Sequence, residues 1–140
     1  MEVRVFSSLP QAAKEIREKV FIEEQGFTNE FDEKDDIAVH LVLFDESAAP
    51  LATCRIFTDA HTYDFVLGRV AVVKEHRGKN LGLVLVKEAE RYAKEKGGKR
   101  IVVHAQLRAV AFYEKAGFIE CGEVEYDEGC PHIPMIKPLP

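Results

Sequence analysis

Three groups of side chains in this sequence could do chemistry. The first is Arg77–Gly78–Lys79–Asn80–Leu81–Gly82, two cations and two glycines that follow the apolar run Val70–Ala71–Val72–Val73 after the polar turn Lys74–Glu75–His76. An amphipathic segment follows it. At the mouth of a helix such a loop offers free backbone N–H groups and the positive end of the dipole, which suits a phosphate or pyrophosphate. The same residues would also make an ordinary strand-to-helix turn, and the spacing alone does not separate the two. Neither G-x-x-x-x-G-K-[ST] nor G-x-G-x-x-G is present.

The second group is acidic: Glu23, Glu24, Glu30, Asp32, Glu33, Asp35 and Asp36 crowd one segment against Lys34. Carboxylates there could accept a proton or attract a cationic small molecule, and a solvated loop has the same composition. The third is Tyr113, a phenol at helical spacing with Ala109 and Val110, which suits core packing and proton donation alike. His40, His104 and His132 fall in strand-like stretches and are expected as hydrogen-bonded structural residues, with His61 and His76 in exposed turns. Cys54, Cys121 and Cys130 are odd in number and lack C-x-x-C spacing, so neither a disulfide framework nor a zinc site is expected. Cys54 and Cys121 are expected in the core and Cys130 near the surface.

The elements that would position these groups are legible in order. Val3–Phe6 reads as a strand, and Ser8–Leu9–Pro10–Gln11 has the S-x-x-Q form of a capping box before a helix with Ala12, Ala13, Ile16 and Val20 on one face. Gly26 to Asp36 reads as a loop with one helical turn. Ala38–Phe44 and Leu51–Phe57 form a hairpin, and Phe65–Val73 leads into the glycine-containing loop. From Leu81, apolar residues at 81, 84, 85, 89, 92 and 93 define a helix that ends near Gly97–Gly98. Ile101–Ala105 is a short strand, Leu107–Lys115 a helix stopped by Gly117, and Phe118–Tyr126 and His132–Lys137 the last strands. A meander between two strand–helix units argues against a doubly wound parallel sheet, and so against a flavodoxin-like phosphate binder.

The 140 residues suit one domain, with 46% hydrophobic and 31% charged residues. A net charge of −5 makes nucleic acid a poor partner. No apolar run has the length of a membrane span, and Met1–Phe6 lacks the character of a signal peptide, so the expected location is the cytoplasm.

Arg77–Gly82 resembles the [QR]-x-x-G-x-[GA] loop of the GNAT acyl-CoA N-acyltransferases. Asn80 stands where that family usually has its central glycine. Asparagine is the least costly replacement, because it tolerates a left-handed backbone and is a good N-cap. Phe112–Tyr113–Glu114–Lys115–Ala116–Gly117–Phe118 is similar to the superfamily's F-Y-x-x-x-G-F helix end. Val20–Gln25, the set Glu30, Asp32, Asp35 and His40, Ala105–Gln106, and Gly129–Cys130–Pro131–His132 with Met135 resemble the small bacterial ElaA-like branch. Cys130 replaces an expected isoleucine, and Gln106 the asparagine common in the wider superfamily.

The resemblance covers nearly the whole chain and implies a mixed α/β (α+β) sheet, splayed between its fourth and fifth strands and flanked by helices, as one domain over 1–140. It implies acetyl-CoA as co-substrate with no metal, bound by Val70, Ala71, Val72, Arg77, Gly78, Lys79, Asn80, Leu81, Gly82 and Phe112. The acceptor would be a small-molecule amine or a peptide amino group, and a homodimer is compatible with it. Direct transfer needs a neutral amine, since an alkylammonium has a pKa of about 10.4. Glu23, Glu24, Asp32, Asp35 and Asp36 are the candidate bases, which the sequence does not rank; Glu24 is singled out as a base or a substrate contact. It also needs carbonyl polarisation by backbone N–H groups at Val70–Val72 and a proton for the thiolate, the role the resemblance gives Tyr113. The alternative function is a non-catalytic acyl-CoA-binding or regulatory module.

Overall fold

A computed structural model describes residues 1–28 and 30–140; Asn29, within the expected loop, lies outside the described residues. Its strands are β1 (Glu2–Phe6), β2 (Val39–Phe44), β3 (Pro50–Thr58), β4 (Phe65–Val72), β5 (Arg100–Gln106), β6 (Ile119–Glu120), β7 (Glu125–Asp127) and β8 (Cys130–Pro138). The helices are α1 (Gln11–Arg17), α2 (Lys34–Ile37), α3 (Leu81–Glu95) and α4 (Val110–Lys115). One mixed sheet runs β1-β2-β3-β4-β5-β8-β6, with β7 also on β8. This is the expected mixed α/β architecture.

The sheet is covered on both faces. Leu81, Leu85, Val86, Ala89 and Ala93 of α3 bury one stripe against Leu41, Leu43, Cys54, Ile56 and Leu67, with Tyr113 and Phe118 in the same cluster. On the other face Ala13, Ile16, Val20 and Phe21 pack on Val42, Phe44 and Ala71.

The feature that matters for function is where two strands part. β4 and β5 pair in parallel only over Phe65–Leu67 against Ile101–Val103, after which β5 continues beside β8 alone. From Gly68 to Val72 the β5-facing edge of β4 therefore has no strand partner among the described residues. A bulge sits at the start of this stretch: the register against β3 jumps between Thr53 and Arg55, and Arg69 has φ +53°. An extra residue switches the faces of everything beyond it. Leu67 accordingly packs under α3 whereas Ala71, four residues on, packs under α1.

Several expectations change in detail. The first helix starts at Gln11 with Pro10 as its N-cap and no side-chain cap, so Ser8 lies too early to close a capping box. That helix widens over Glu18–Glu24 into π-helical turns, with Gln25 N–H donating to Val20 O at 3.2 Å. The expected strand Phe118–Tyr126 is two short strands, because the chain at Gly122 runs so close to Pro134 that a Cβ there would meet its ring at 2.5 Å. Cys121, expected in the core, is exposed in that interruption; Cys54 is buried, and burial pushes its thiol up to about 12.

Candidate functional site

The glycine-containing loop takes the conformation that its anion-binding reading needs. Gly78 has φ +82° and Asn80 has φ +61° and ψ +23°, so the central asparagine occupies the left-handed region and α3 begins at Leu81. Asn80 does so without a side-chain cap. Among the described residues, the N–H groups from Gly78 to Leu83 donate to no backbone oxygen; the first helical bond at this end is Val84 N–H to Asn80 O at 3.2 Å. A run of free donors at the positive end of a 15-residue helix has the chemistry of an anion cradle. The left-handed backbone gives a test: Asn80→Ala should lower stability by about 1 kcal/mol while Asn80→Gly should not, measured by denaturant unfolding.

Gly82 serves a different contact from its loop neighbours. A Cβ there would lie 3.1 Å from Phe112 Cζ and 3.7 Å from Val72 Cγ2, so its missing side chain makes room for the aromatic ring that joins α3 to α4. Val72, Phe112 and Gly82 thereby form one wall, continuous with the unpaired β4 edge.

Arg77 and Glu24 meet each other. The guanidinium donates to both carboxylate oxygens at 2.8 and 2.9 Å, and its Nε donates to Val72 O at 3.1 Å. The hydrogen bond and charge of Arg77 outweigh burial and lower the Glu24 pKa. The structure thus places the expected base and an expected cofactor-binding cation in one ion pair spanning the end of the π-helical segment and the end of β4. Glu24 is absent from the walls of the cavity described below.

The acidic segment is not the free electrostatic surface that its composition suggests. Arg17 is fully buried, donating to Glu30 Oε2 at 2.7 Å and to Asp35 Oδ1 at 2.8 Å. Arg55 Nη1 donates to Asp32 Oδ1 at 2.6 Å and Asp35 Oδ1 at 2.9 Å, and Arg69 Nε lies 3.1 Å from Glu30 Oε1. His40 Nε2 closes the cluster against Asp35 O at 3.0 Å. Burial alone would raise Asp35; the Arg17 hydrogen bond and charge, with Arg55 behind them, hold it at about 2. Burial dominates at Glu30 and raises it despite Arg69 and Arg17. Asp32 and Asp35 are thus locked by guanidinium groups, and the cluster ties the loop after the π-helical segment to β3 and to the β4 bulge.

Where β4 and β5 diverge, a cavity of about 190 Å³ opens. Its walls include Leu67, Gly68, Arg69 and Val70 of β4, His104 and Gln106 of β5, Tyr113 of α4, Phe21 and Gln25, and Asp127 and His132 of the last hairpin. Tyr113 is 7% exposed and makes edge-on ring contacts with Phe112 at 5.0 Å and Phe118 at 5.6 Å. Its hydroxyl has no hydrogen-bond partner among the described residues, and burial, with Cys54 adding to it, raises its pKa, so the phenol is protonated at neutral pH. Gln106 bridges two walls, donating to Gln25 Oε1 at 2.8 Å and accepting from Arg108 Nε at 2.6 Å.

The expected structural histidines divide. His40 and His132 are hydrogen-bonded, the latter through Nδ1 to Cys130 O at 2.9 Å. His104 is exposed and has no such partner among the described residues. Sequence reading missed Arg17, Arg55, Arg69, Arg108 and Asp127 as parts of the site. Their partners are distant in the chain, and no local pattern marks them. Among the described residues no group of three or more His, Cys, Asp or Glu could hold a metal ion, and no helix is long and apolar enough to cross a membrane.

A sheet splayed after one short parallel ladder, with an anion cradle at the end of the splayed strand, defines an acyl-CoA N-acyltransferase fold. Residues 8–139 match the family described as acetyltransferase (GNAT) domain, and the chain belongs to that family. A Bacillus subtilis (strain 168) relative, BSU40680, is 37% identical over 130 residues, covering 89% of this chain and 86% of its own. YjcF of the same organism, described as an uncharacterized N-acetyltransferase, is 33% identical over 125 residues, 87% of each. Among solved structures, Escherichia coli ElaA superposes with a TM-score of 0.85 at 26% identity, covering 98% of this chain and 99% of that one. The resemblance to the ElaA-like branch is thereby supported.

Proposed function

We propose that this protein moves the acetyl group of acetyl-CoA to the primary amine of a small molecule or peptide by direct attack. One observation carries the reading: the unpaired edge Gly68–Val72 leads toward the free N–H groups of Gly78–Leu83, and Tyr113 lines the cavity at the other end of that edge. An extended pantetheine arm can complete the β4 edge as an added strand would, leaving its pyrophosphate at the helix N-terminus. This places Val70, Ala71 and Val72 along the arm and Gly78, Lys79, Asn80, Leu81 and Gly82 around the phosphates, with Phe112 as the wall beside them.

The thioester carbonyl then lies at the bulge, where N–H groups of the β4 edge polarise it without reorganisation. The amine nitrogen attacks the carbonyl carbon, the C–S bond breaks, and Tyr113 gives the sulfur its proton. A protonated, unpartnered phenol suits that task. Arg77 holds the turn by gripping Val72 O, and Glu24 holds Arg77 in place. Neither Glu24 nor the chelated Asp32 and Asp35 is a free proton acceptor.

The test is release of free CoA from acetyl-CoA with a panel of primary amines: spermidine, lysine, tyramine and dialanine. Saturable release with at least one supports the reading. Tight acetyl-CoA binding without turnover on any amine would favour the acyl-CoA-binding module instead.

A further inference from the structure

Of the candidate bases, Glu24 is bound to Arg77, and Asp32 and Asp35 to Arg55 and Arg17; Glu30, on the cavity wall, is held by Arg17 and Arg69. Glu23 and Asp36 are not on the cavity wall. We propose that His104 takes the proton from the incoming amine, an inference that rests on the acetyltransferase reading.

Its place follows from strand register. Ile101, Val103 and Ala105 of β5 are buried toward α3, so His104 projects from the opposite face of the sheet. Val103 is the last residue paired with β4, opposite Leu67, which makes His104 the first residue after the strands part. Alongside it on β4 is Gly68, where a Cβ would meet nothing within 4 Å, so the ground beside the imidazole is open. Its neighbour in β8 is Pro134, which offers no side-chain hydrogen bond. The imidazole thus meets open space at the vertex of the splay.

Two cavities share this residue. The 190 Å³ space reaches Tyr113 from the α4 side, and a second of about 370 Å³ lies over Glu125, Tyr126, Asp127 and His132. The charged groups lining the two spaces with His104 are Glu30, Arg55, Arg69, Arg108, Glu125 and Asp127; Arg55 and Arg69 are engaged by the acidic loop, Glu30 by Arg17 and Arg69, and Arg108 by Gln106. An amine entering by the larger space meets His104 before it reaches the thioester, while the sulfur leaves toward Tyr113. Acid and base then stand on opposite faces of one gap, the arrangement that direct attack requires.

The proton count closes. An ammonium R–NH3+ gives one proton to His104 and becomes R–NH2. Its nitrogen bonds to the carbonyl carbon, the C–S bond breaks, and Tyr113 protonates the sulfur. The second nitrogen proton restores the phenol, the amide keeps the third, and His104 passes its proton to water.

The experiment compares the parent with His104→Ala and Asp127→Asn, using acetyl-CoA and the fastest amine of the panel. For His104→Ala the expected result is a fall in kcat of about a hundredfold, with the melting temperature and the KM for acetyl-CoA essentially unchanged. Added imidazole, which fits the vacated space, should restore part of the rate, which a purely structural loss would not allow. Unchanged kcat, a loss that imidazole does not relieve, or a larger loss in Asp127→Asn overturns the assignment while leaving the acetyltransferase reading intact. CoA release from no amine in the parent overturns both.

Discussion

Tyr113→Phe is expected to lower turnover about a hundredfold while leaving acetyl-CoA affinity and folding nearly intact, the size expected for losing one positioned acid. The substitution removes a single oxygen. The ring keeps its edge-on contacts with Phe112 and Phe118, and because the hydroxyl has no partner among the described residues, no buried donor or acceptor is orphaned. The reaction does not stop, since a thiol of ordinary pKa near 8.5 is a fair leaving group. Steady-state CoA release beside a thermal melt reads the effect. Equal turnover in parent and variant would reduce Tyr113 to a packing residue.

A second large effect belongs to Arg17→Met. It fills most of the volume but takes the buried guanidinium away from Glu30 and Asp35, leaving Glu30 with Arg69 alone and Asp35 with Arg55 alone among the arginines. Removing one partner of a buried ion pair costs about 3 to 5 kcal/mol, a large part of a domain's stability. Urea unfolding measures it; a loss under 1 kcal/mol would mean that the loop relaxes and solvates the acids. The same cluster sets the acid limb. Asp35 titrates at about 2 when folded, below its ordinary value of 3.8, so its contribution is complete above 3.8 and is lost as pH falls through about 2. Glu30, raised by burial, acts in the opposite sense. In Arg17→Met the Asp35 contribution should shrink and acid unfolding begin at higher pH.

Features set by local chemistry were legible. The periodicity of α3, the hairpin of β2 and β3 and the left-handed tolerance of Asn80 each depend on residues within a few positions of one another. What escaped was tertiary. The acids of the 30–36 segment look like a solvated run because Arg17, Arg55 and Arg69 approach them from α1, β3 and the β4 bulge. His104 and His132 occupy similar strand contexts, but His132 bonds the carbonyl of Cys130 two residues back, while His104 falls where β4 and β5 part. The break at Cys121 to Val124 follows from the approach of Gly122 to Pro134, which no local propensity encodes.

Whether acetyl-CoA lies along the β4 edge with its phosphates at the α3 N-terminus is tested most directly by amide NMR during an acetyl-CoA titration. The predicted result is saturable shifts at Arg69–Val72 and Gly78–Leu83, with β1 and β2 unmoved. No shifts at millimolar acetyl-CoA, or saturable shifts confined to residues away from the splay, would contradict it.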